Sequence, residues 1–267
     1  MSDIINKSEK LLREGGVKLI IGYEKGTGKK MRPAFVRKAE DASKLVSNEN
    51  CDQNLAVYLM KHEVKNAGKV AVFATVPALR SILQLASESQ IREQNIAALH
   101  VNKNGELIVF EDFKSIEDYL KTADWDLTHS EKEALAKLNN MSVSERWAFW
   151  TSEFEKCIKC YACRAACPMC YCNRCTTDCN QPQWIPVASH ALGVFEWHMM
   201  RAMHLSGRCV NCGECAKACP VDIPINLLTY SLIGSIKEEF GAVAGMKADA
   251  MYALSVFNPE DKETFII

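Results

Sequence analysis

Cys157-Ile158-Lys159-Cys160-Tyr161-Ala162-Cys163-Arg164-Ala165-Ala166-Cys167-Pro168 is followed by its echo, Cys209-Val210-Asn211-Cys212-Gly213-Glu214-Cys215-Ala216-Lys217-Ala218-Cys219-Pro220. Both runs read Cys-x2-Cys-x2-Cys-x3-Cys-Pro, and twelve of the thirteen cysteines fall between Cys157 and Cys219. Thiolates that hold a cubane must converge on its corners. Three therefore come from one tight loop and the fourth arrives from elsewhere in the fold.

The spacing is that of bacterial-type ferredoxins, which ligate 4Fe-4S clusters, and in two-cluster ferredoxins the fourth cysteine of each run crosses to the other cluster. The expected sets are Cys157, Cys160, Cys163 and Cys219 for cluster A, and Cys209, Cys212, Cys215 and Cys167 for cluster B. Zinc is the rival metal, but its sites are usually written as two separated Cys-x-x-Cys pairs, whereas each run here supplies four sulfurs by itself. A disulfide framework fits poorly with an odd cysteine count and a chain of 267 residues that can build a core without staples.

Between the runs stand Cys170, Cys172, Cys175 and Cys179. Four closely spaced thiols are an oxidation liability if left free. They predict a third centre, either an iron-sulfur cluster or a tetrahedral zinc. The plainer alternative is reduced, buried thiols acting as small hydrophobes.

The 32 basic and 33 acidic side chains nearly cancel, which argues against a dedicated nucleic-acid or membrane-surface protein. No apolar run approaches the roughly 20 residues that span a bilayer. Met1-Ser2-Asp3-Ile4 does not open an export signal, so a cytoplasmic, anaerobic setting is expected for the clusters.

Residues 1–123 read as a small α/β domain. A helix from Ser2 leads to a strand at Val17–Tyr23, an exposed basic turn at Gly26–Lys30 that fails as a phosphate loop, and an edge strand near Pro33. Val70–Ala74 is apolar throughout, Val76–Ser87 has helical spacing, and Ala97–Val101 supplies a second parallel strand. Leu107–Phe110 closes a hairpin with it. Cys51 reads as a packed small residue, and Glu111, Asp112, Glu117 and Asp118 as a solvated face.

Residues 124–156 form a helical linker, where Trp147, Trp150 and Phe154 make a stripe expected to shield the first cluster and join the domains, or simply to fill a core. Residues 157–240 are expected to form a two-cluster ferredoxin-like α+β domain, with residues 168–208 as a cysteine-rich, helical insertion. In that insertion a helix over Val187–Ser206 carries His190, His198 and His204, read as hydrogen-bonded histidines. His204 or Arg201 is the expected donor to a cluster sulfur. A helix follows over Ile223–Phe240, and residues 241–267 read as a docking tail, with Met246, Met251, Tyr252, Leu254, Val256, Phe257, Phe265, Ile266 and Ile267 as its apolar positions.

The strings Lys159-Cys160-Tyr161-Ala162-Cys163-Arg164, Cys167-Pro168-Met169-Cys170-Tyr171-Cys172, Gln181-Pro182-Gln183-Trp184 and His204-Leu205-Ser206-Gly207-Arg208-Cys209 resemble the iron-sulfur beta-subunit-like proteins of deazaflavin-reducing hydrogenases and formate dehydrogenases. Members of that family accompany heterodisulfide-reductase-like and electron-bifurcating complexes. The segments Ile21–Thr27 and Asn54–Leu59 extend the resemblance over most of residues 17–240. Where members tend to have Gly-Cys-Asp-Ser-Arg, this chain has Thr75-Val76-Pro77-Ala78-Leu79-Arg80. The resemblance implies an electron-transfer subunit without a catalytic residue of its own, relaying single electrons between a flavin or metal partner, such as a flavoprotein, hydrogenase or formate dehydrogenase, and another redox subunit. An oxidoreductase subunit that binds a deazaflavin, flavin or nicotinamide in its N-terminal domain is the alternative, although no G-x-G-x-x-G fingerprint is present. A zinc-based binding module is the third reading.

Overall fold

The structure, a computed structural model, describes residues 2–14, 16–179 and 181–254. They fall into two units, residues 2–125 with 245–250, and residues 126–244 with 251–254.

In the first unit the helix α1 (Ser2–Arg13) precedes β1 (Leu19–Lys25) and β2 (Met31–Val36). A short helix α2 (His62–Lys65) then leads into β3 (Val70–Phe73), α3 (Val76–Ser87), β4 (Ile96–Val101), β5 (Leu107–Phe110) and α4 (Phe113–Leu120). Among the described residues the strands make one sheet in the order β2-β1-β3-β4-β5. β3 runs parallel to β1 and to β4, and both edge pairings are antiparallel. The central strands are buried on both faces, which is why Val70–Phe73 shows no polar alternation. β2 tolerates Pro33 because it lies at the sheet edge.

The basic turn has a structural task. Gly26 N–H donates to the Lys30 carbonyl at 2.9 Å, and Gly28 at φ 65° closes the β1–β2 hairpin. In β1, a side chain at Gly22 would meet Leu45 Cδ2 at 2.7 Å and Phe73 Cδ2 at 2.9 Å, so only glycine fits between them. Pro77 sits in the first turn of α3, where its missing N–H costs nothing, and α3 buries Leu79, Ile82, Leu83 and Leu85. His100 places Nδ1 2.7 Å from the Ala74 carbonyl, and Tyr119 Oη lies 2.9 Å from its Nε2. Among the acidic positions, Asp112 caps α4 through Ser115 N–H at 2.7 Å, Asp118 pairs with Lys114 and Lys121, and Glu117 accepts from Ala248 N–H at 2.9 Å. Cys51 is half-buried, and burial pushes its thiol up.

The second unit begins with α5 (His129–Asn139) and α6 (Val143–Glu155), each opened by a capping box, Thr128 with Glu131 and Ser142 with Glu145. Then come α7 (Ala162–Ala165), α8 (Ala191–Leu205), α9 (Glu214–Lys217) and α10 (Ile225–Phe240). Its core gathers Leu138, Trp150, Phe154, Trp197, Ile223 and Tyr230. Tyr230 Oη fastens α10, sharing its one proton between Glu131 Oε1 at 3.1 Å and the Asn211 carbonyl at 3.2 Å.

Two expectations need correction here. No strand occurs among the described residues of this unit, so the β component expected of the ferredoxin-like part is absent from them. The reason is local: α6 runs to Glu155 and Cys157 N–H closes onto the Phe154 carbonyl at 3.0 Å, leaving no extended lead into the first loop. α8 also starts later than the pattern over Val187–Ser206 suggested, because His190 acts as its cap, with Nδ1 accepting from Gly193 N–H at 3.3 Å. Of the apolar tail, Gly245 N–H donates to Gln84 Oε1 at 2.8 Å in the first unit, and Tyr252 Oη to the Ser206 carbonyl at 2.5 Å in the second. Val256, Phe257, Phe265, Ile266 and Ile267 lie outside the described residues. Among the described residues no helix is long and apolar enough to cross a membrane.

Candidate metal centre

The two cysteine runs share one backbone path. Lys159 (φ 52°) and Tyr161 (φ 60°) are left-handed in the first run, and Asn211 (φ 50°) and Gly213 (φ 73°) are left-handed at the matching places in the second. Each pair leads directly into a one-turn helix, α7 or α9. A non-glycine residue held in this region costs roughly 1–3 kcal/mol and persists only where its surroundings demand it. Three such residues around cysteines mark these loops as clamps. The turn also aims backbone amides at sulfur: Lys159 N–H reaches Cys157 Sγ at 3.4 Å, and Ile223 N–H reaches Cys219 Sγ at 3.4 Å.

The thiols of Cys157, Cys160 and Cys163 line one recess together with Cys219 from the second run, and Tyr161, Trp197, Ile223 and Ile225 form much of its apolar wall. Burial pushes the Cys157 thiol up and takes Cys163 up to about 11, with Arg201 pulling the other way. Four thiolates cannot share such a pocket without positive charge to offset them. The donor set and the apolar wall therefore fit a thiophilic iron centre. Beside it, Cys215 is pushed up by burial, and then by the neighbouring Cys209 and Cys212 after Arg201 is counted. Cys167 stands against Cys170: their side chains hydrogen-bond, which with burial pushes the Cys170 thiol well up, and Cys170 N–H donates to the Cys167 carbonyl at 3.1 Å.

Helix α8 supplies the polar groups of the site. His198, 2% exposed, has Nε2 3.4 Å from Cys157 Sγ and stacks flat on Phe154 with ring centroids 4.4 Å apart. Burial, reinforced by Arg201 and Lys159, takes this histidine down to about 3, so it is neutral. A metal-bound thiolate can only accept, which makes the Nε2–H tautomer the one that meets it. One turn along, Arg201 is 4% exposed and donates through Nη2 to the Cys163 carbonyl at 3.0 Å. His204, the other expected donor, is exposed and offers only its carbonyl to Arg208 Nη1, at 3.2 Å. The histidine that meets sulfur is thus His198, and helical phase separates the two: His198 and Arg201 lie three apart on the inward face, whereas His204 is turned outward.

The rest of the insertion is tied down by side chains that cysteine spacing does not reveal. Asp178 accepts from Trp197 Nε1 at 2.6 Å and lies 3.4 Å from Arg164 Nε. Arg164 Nη2 also holds the Cys172 carbonyl at 2.8 Å, and Lys159 Nζ donates to the Pro186 carbonyl. Of the four insertion cysteines, Cys170 faces Cys167, Cys175 Sγ is 2.9 Å from Thr177 Oγ1, and Cys172 and Cys179 are exposed. Among the described residues no three Cys, His, Asp or Glu side chains gather around a position for a single metal ion. In the aromatic stripe, Trp150 and Phe154 are buried, whereas Trp147 is exposed, with its ring 4.7 Å from that of Phe195.

Comparison with known proteins agrees with this chemistry. Residues 205–225 match the 4Fe-4S binding domain family. The chain is 32% identical over 97 residues to the F420-dependent formate dehydrogenase subunit beta of Methanocaldococcus jannaschii, covering 36% of this chain and 25% of that protein. It is 31% identical over 105 residues to the F420-dependent formate dehydrogenase 1 subunit beta of Methanococcus maripaludis, covering 39% and 26%. The matched stretch spans about a quarter of each relative's length. The chain thus carries a 4Fe-4S binding domain and has homologues among formate dehydrogenase beta subunits, in support of the iron-sulfur beta-subunit-like family that its residues resemble.

Proposed function

We propose that the chain is an electron-transfer iron-sulfur subunit of a multi-subunit oxidoreductase, holding two 4Fe-4S clusters with exchanged fourth ligands. Cys157, Cys160, Cys163 and Cys219 hold the first, and Cys209, Cys212, Cys215 and Cys167 the second. The observation that carries this reading is the recess in which three thiols of one run meet the last thiol of the other. Such clusters supply one-electron transfer, at potentials between roughly −700 and +450 mV set by hydrogen bonds to sulfur, charge and exposure.

The chain's own residues do the seating and the tuning. Trp197, Ile223 and Ile225 keep water from the first set, Lys159 N–H and His198 Nε2–H hold Cys157, and Ile223 N–H holds Cys219. On the other side the first loop reaches the surface, where Cys160 is exposed and Ile158 is 61% exposed. That edge is the short way in or out for an electron. The relatives' names point to formate dehydrogenase subunits as exchange partners, and the family resemblance adds a hydrogenase, a flavoprotein or a heterodisulfide-reductase-like subunit. A third centre on the insertion cysteines is a separate proposal, motivated by their density.

Anaerobic iron and sulfide quantitation on the purified chain tests both. Two cubanes give about eight iron and eight sulfide per chain. About twelve iron adds a third cluster, and about eight iron with one zinc adds a structural ion instead. A colourless chain free of acid-labile sulfide refutes the electron-transfer reading.

A further inference from the structure

Arg201 is a buried cation placed among the thiols of both runs. Its Nη2 donates to the Cys163 carbonyl at 3.0 Å, its Cζ lies 5.9 Å from the centroid of the Trp197 ring, and its Nε has no hydrogen-bond partner. Among the described residues no carboxylate pairs with it. A guanidinium removed from water in this way is costly unless negative charge stands close by. Here the negative charge belongs to sulfur. Arginine keeps its charge in any protein setting. Besides the Cys163 carbonyl, the Arg201 side chain hydrogen-bonds Cys170, which in turn hydrogen-bonds Cys167, so it reaches Cys163 of the first proposed ligand set and, through Cys170, Cys167 of the second.

Resting on the two-cluster reading above, we propose that Arg201 is a shared counter-charge, a positioning residue that raises the reduction potentials of both clusters together. Each one-electron reduction adds a negative charge to an already anionic set of thiolates and iron. A fixed cation between the sets stabilises the reduced form of either one. Hydrogen bonding alone would act on one cluster, whereas an unpaired charge between two acts on both. This distinguishes Arg201 from His198, whose hydrogen bond is to Cys157.

The test compares the anaerobic wild-type chain with Arg201→Gln, which keeps a donor but no charge, and Arg201→Lys, which keeps the charge. Midpoints are read by a spectroscopically monitored reductive titration, with iron and sulfide counted in each sample. Arg201→Gln is expected to lower both midpoints by at least a tenfold change in the one-electron equilibrium, about 59 mV, while Arg201→Lys stays within half of that. A fully loaded Gln variant with unmoved midpoints, movement of one midpoint only, or a Lys variant that behaves like Gln overturns the proposal. If Gln loses iron, Lys decides: a loaded Lys variant with near wild-type midpoints upholds the counter-charge, and loss of iron from both makes Arg201 a packing residue and overturns it. A wild-type chain with fewer than eight iron removes the two-cluster reading itself, a failure told apart because it precedes any variant.

Discussion

Replacing His198 by phenylalanine keeps a ring of similar size on the face of Phe154 and removes the hydrogen bond that α8 makes to Cys157, a ligand of the first proposed cluster. The geometry isolates that bond. His198 is 2% exposed, its Nε2 is 3.4 Å from Cys157 Sγ, and its Nδ1 has no partner to lose. A hydrogen bond to a charged acceptor contributes about 1.5–3 kcal/mol. If about half of the lower to middle range is gained only when the acceptor becomes more negative, roughly 1 kcal/mol separates the two redox states. At 59 mV and 1.4 kcal/mol per tenfold for one electron, that is a fall of roughly 40 mV in the midpoint of one cluster and none in the other. The shifted wave is then a label for the cluster bound by Cys157. Cys219→Ser supplies the second half of the test, because a hydroxyl still accepts from Ile223 N–H, now 3.4 Å from sulfur, while the metal ligand is weakened. With exchanged ligands, the wave that His198→Phe moves is the one that Cys219→Ser disturbs, and iron falls from about eight to about seven or fewer. Anaerobic titration with metal analysis reads both. Disturbance of the other wave by Cys219→Ser means that each run ligates its own cluster, and an unmoved pair of midpoints in His198→Phe means that the α8 contact does not tune it.

Phe154→Ala opens a hole beneath His198 and beside Trp150, and for a side chain 2% exposed the loss is about 3–5 kcal/mol, with Phe154→Leu losing less; anaerobic denaturant unfolding followed by cluster absorbance checks the order. In the first unit, burial holds His100 below its ordinary 6.5 against the pull of the Ala74 carbonyl. The unfolded chain therefore binds the extra proton first, and stability falls as pH drops below about 6.5, by at most about 1.4 kcal/mol per pH unit. Hydrogen exchange of β4 amides between pH 5 and 7 should show that slope, and His100→Gln should flatten it. Gly245→Ala would press a Cβ to 2.3 Å from the Arg80 carbonyl at a φ of 70°, so the segment Gly245–Ala250 should detach, with loss of protection at the Gly245 amide that now meets Gln84. Retained protection there would show that the backbone adjusts at little cost.

What the sequence made legible was whatever a local rule controls. Unbroken apolarity marked β3, a 3.6-residue period marked α3, and the Ser142/Glu145 pair marked the start of α6, since each depends on neighbours in the chain. The cysteine spacing is local in the same sense: the two runs fold into loops with matching left-handed residues, and the second lies within the stretch that matches the 4Fe-4S binding domain family. Spacing carried no information about which face of α8 turns inward. His198 and His204 are equivalent as letters, and only the packing of Trp197, Phe154 and Arg201 around the first loop selects one of them. Nor did spacing reveal Asp178, whose value lies in two long-range contacts, from Trp197 and Arg164, or Cys170, which reads as part of the insertion yet stands beside Cys167. The missing strands have the same origin, because helix α6 closes directly onto Cys157 and so replaces the extended lead that a minimal ferredoxin pattern implies. The proposed ligands are therefore written in the one-dimensional pattern, whereas the groups proposed to tune them reach sulfur only through the fold. This is why the proposed role of Arg201 is invisible within its own helix and rests on what the fold brings to it, the Cys163 carbonyl and the Cys170 side chain.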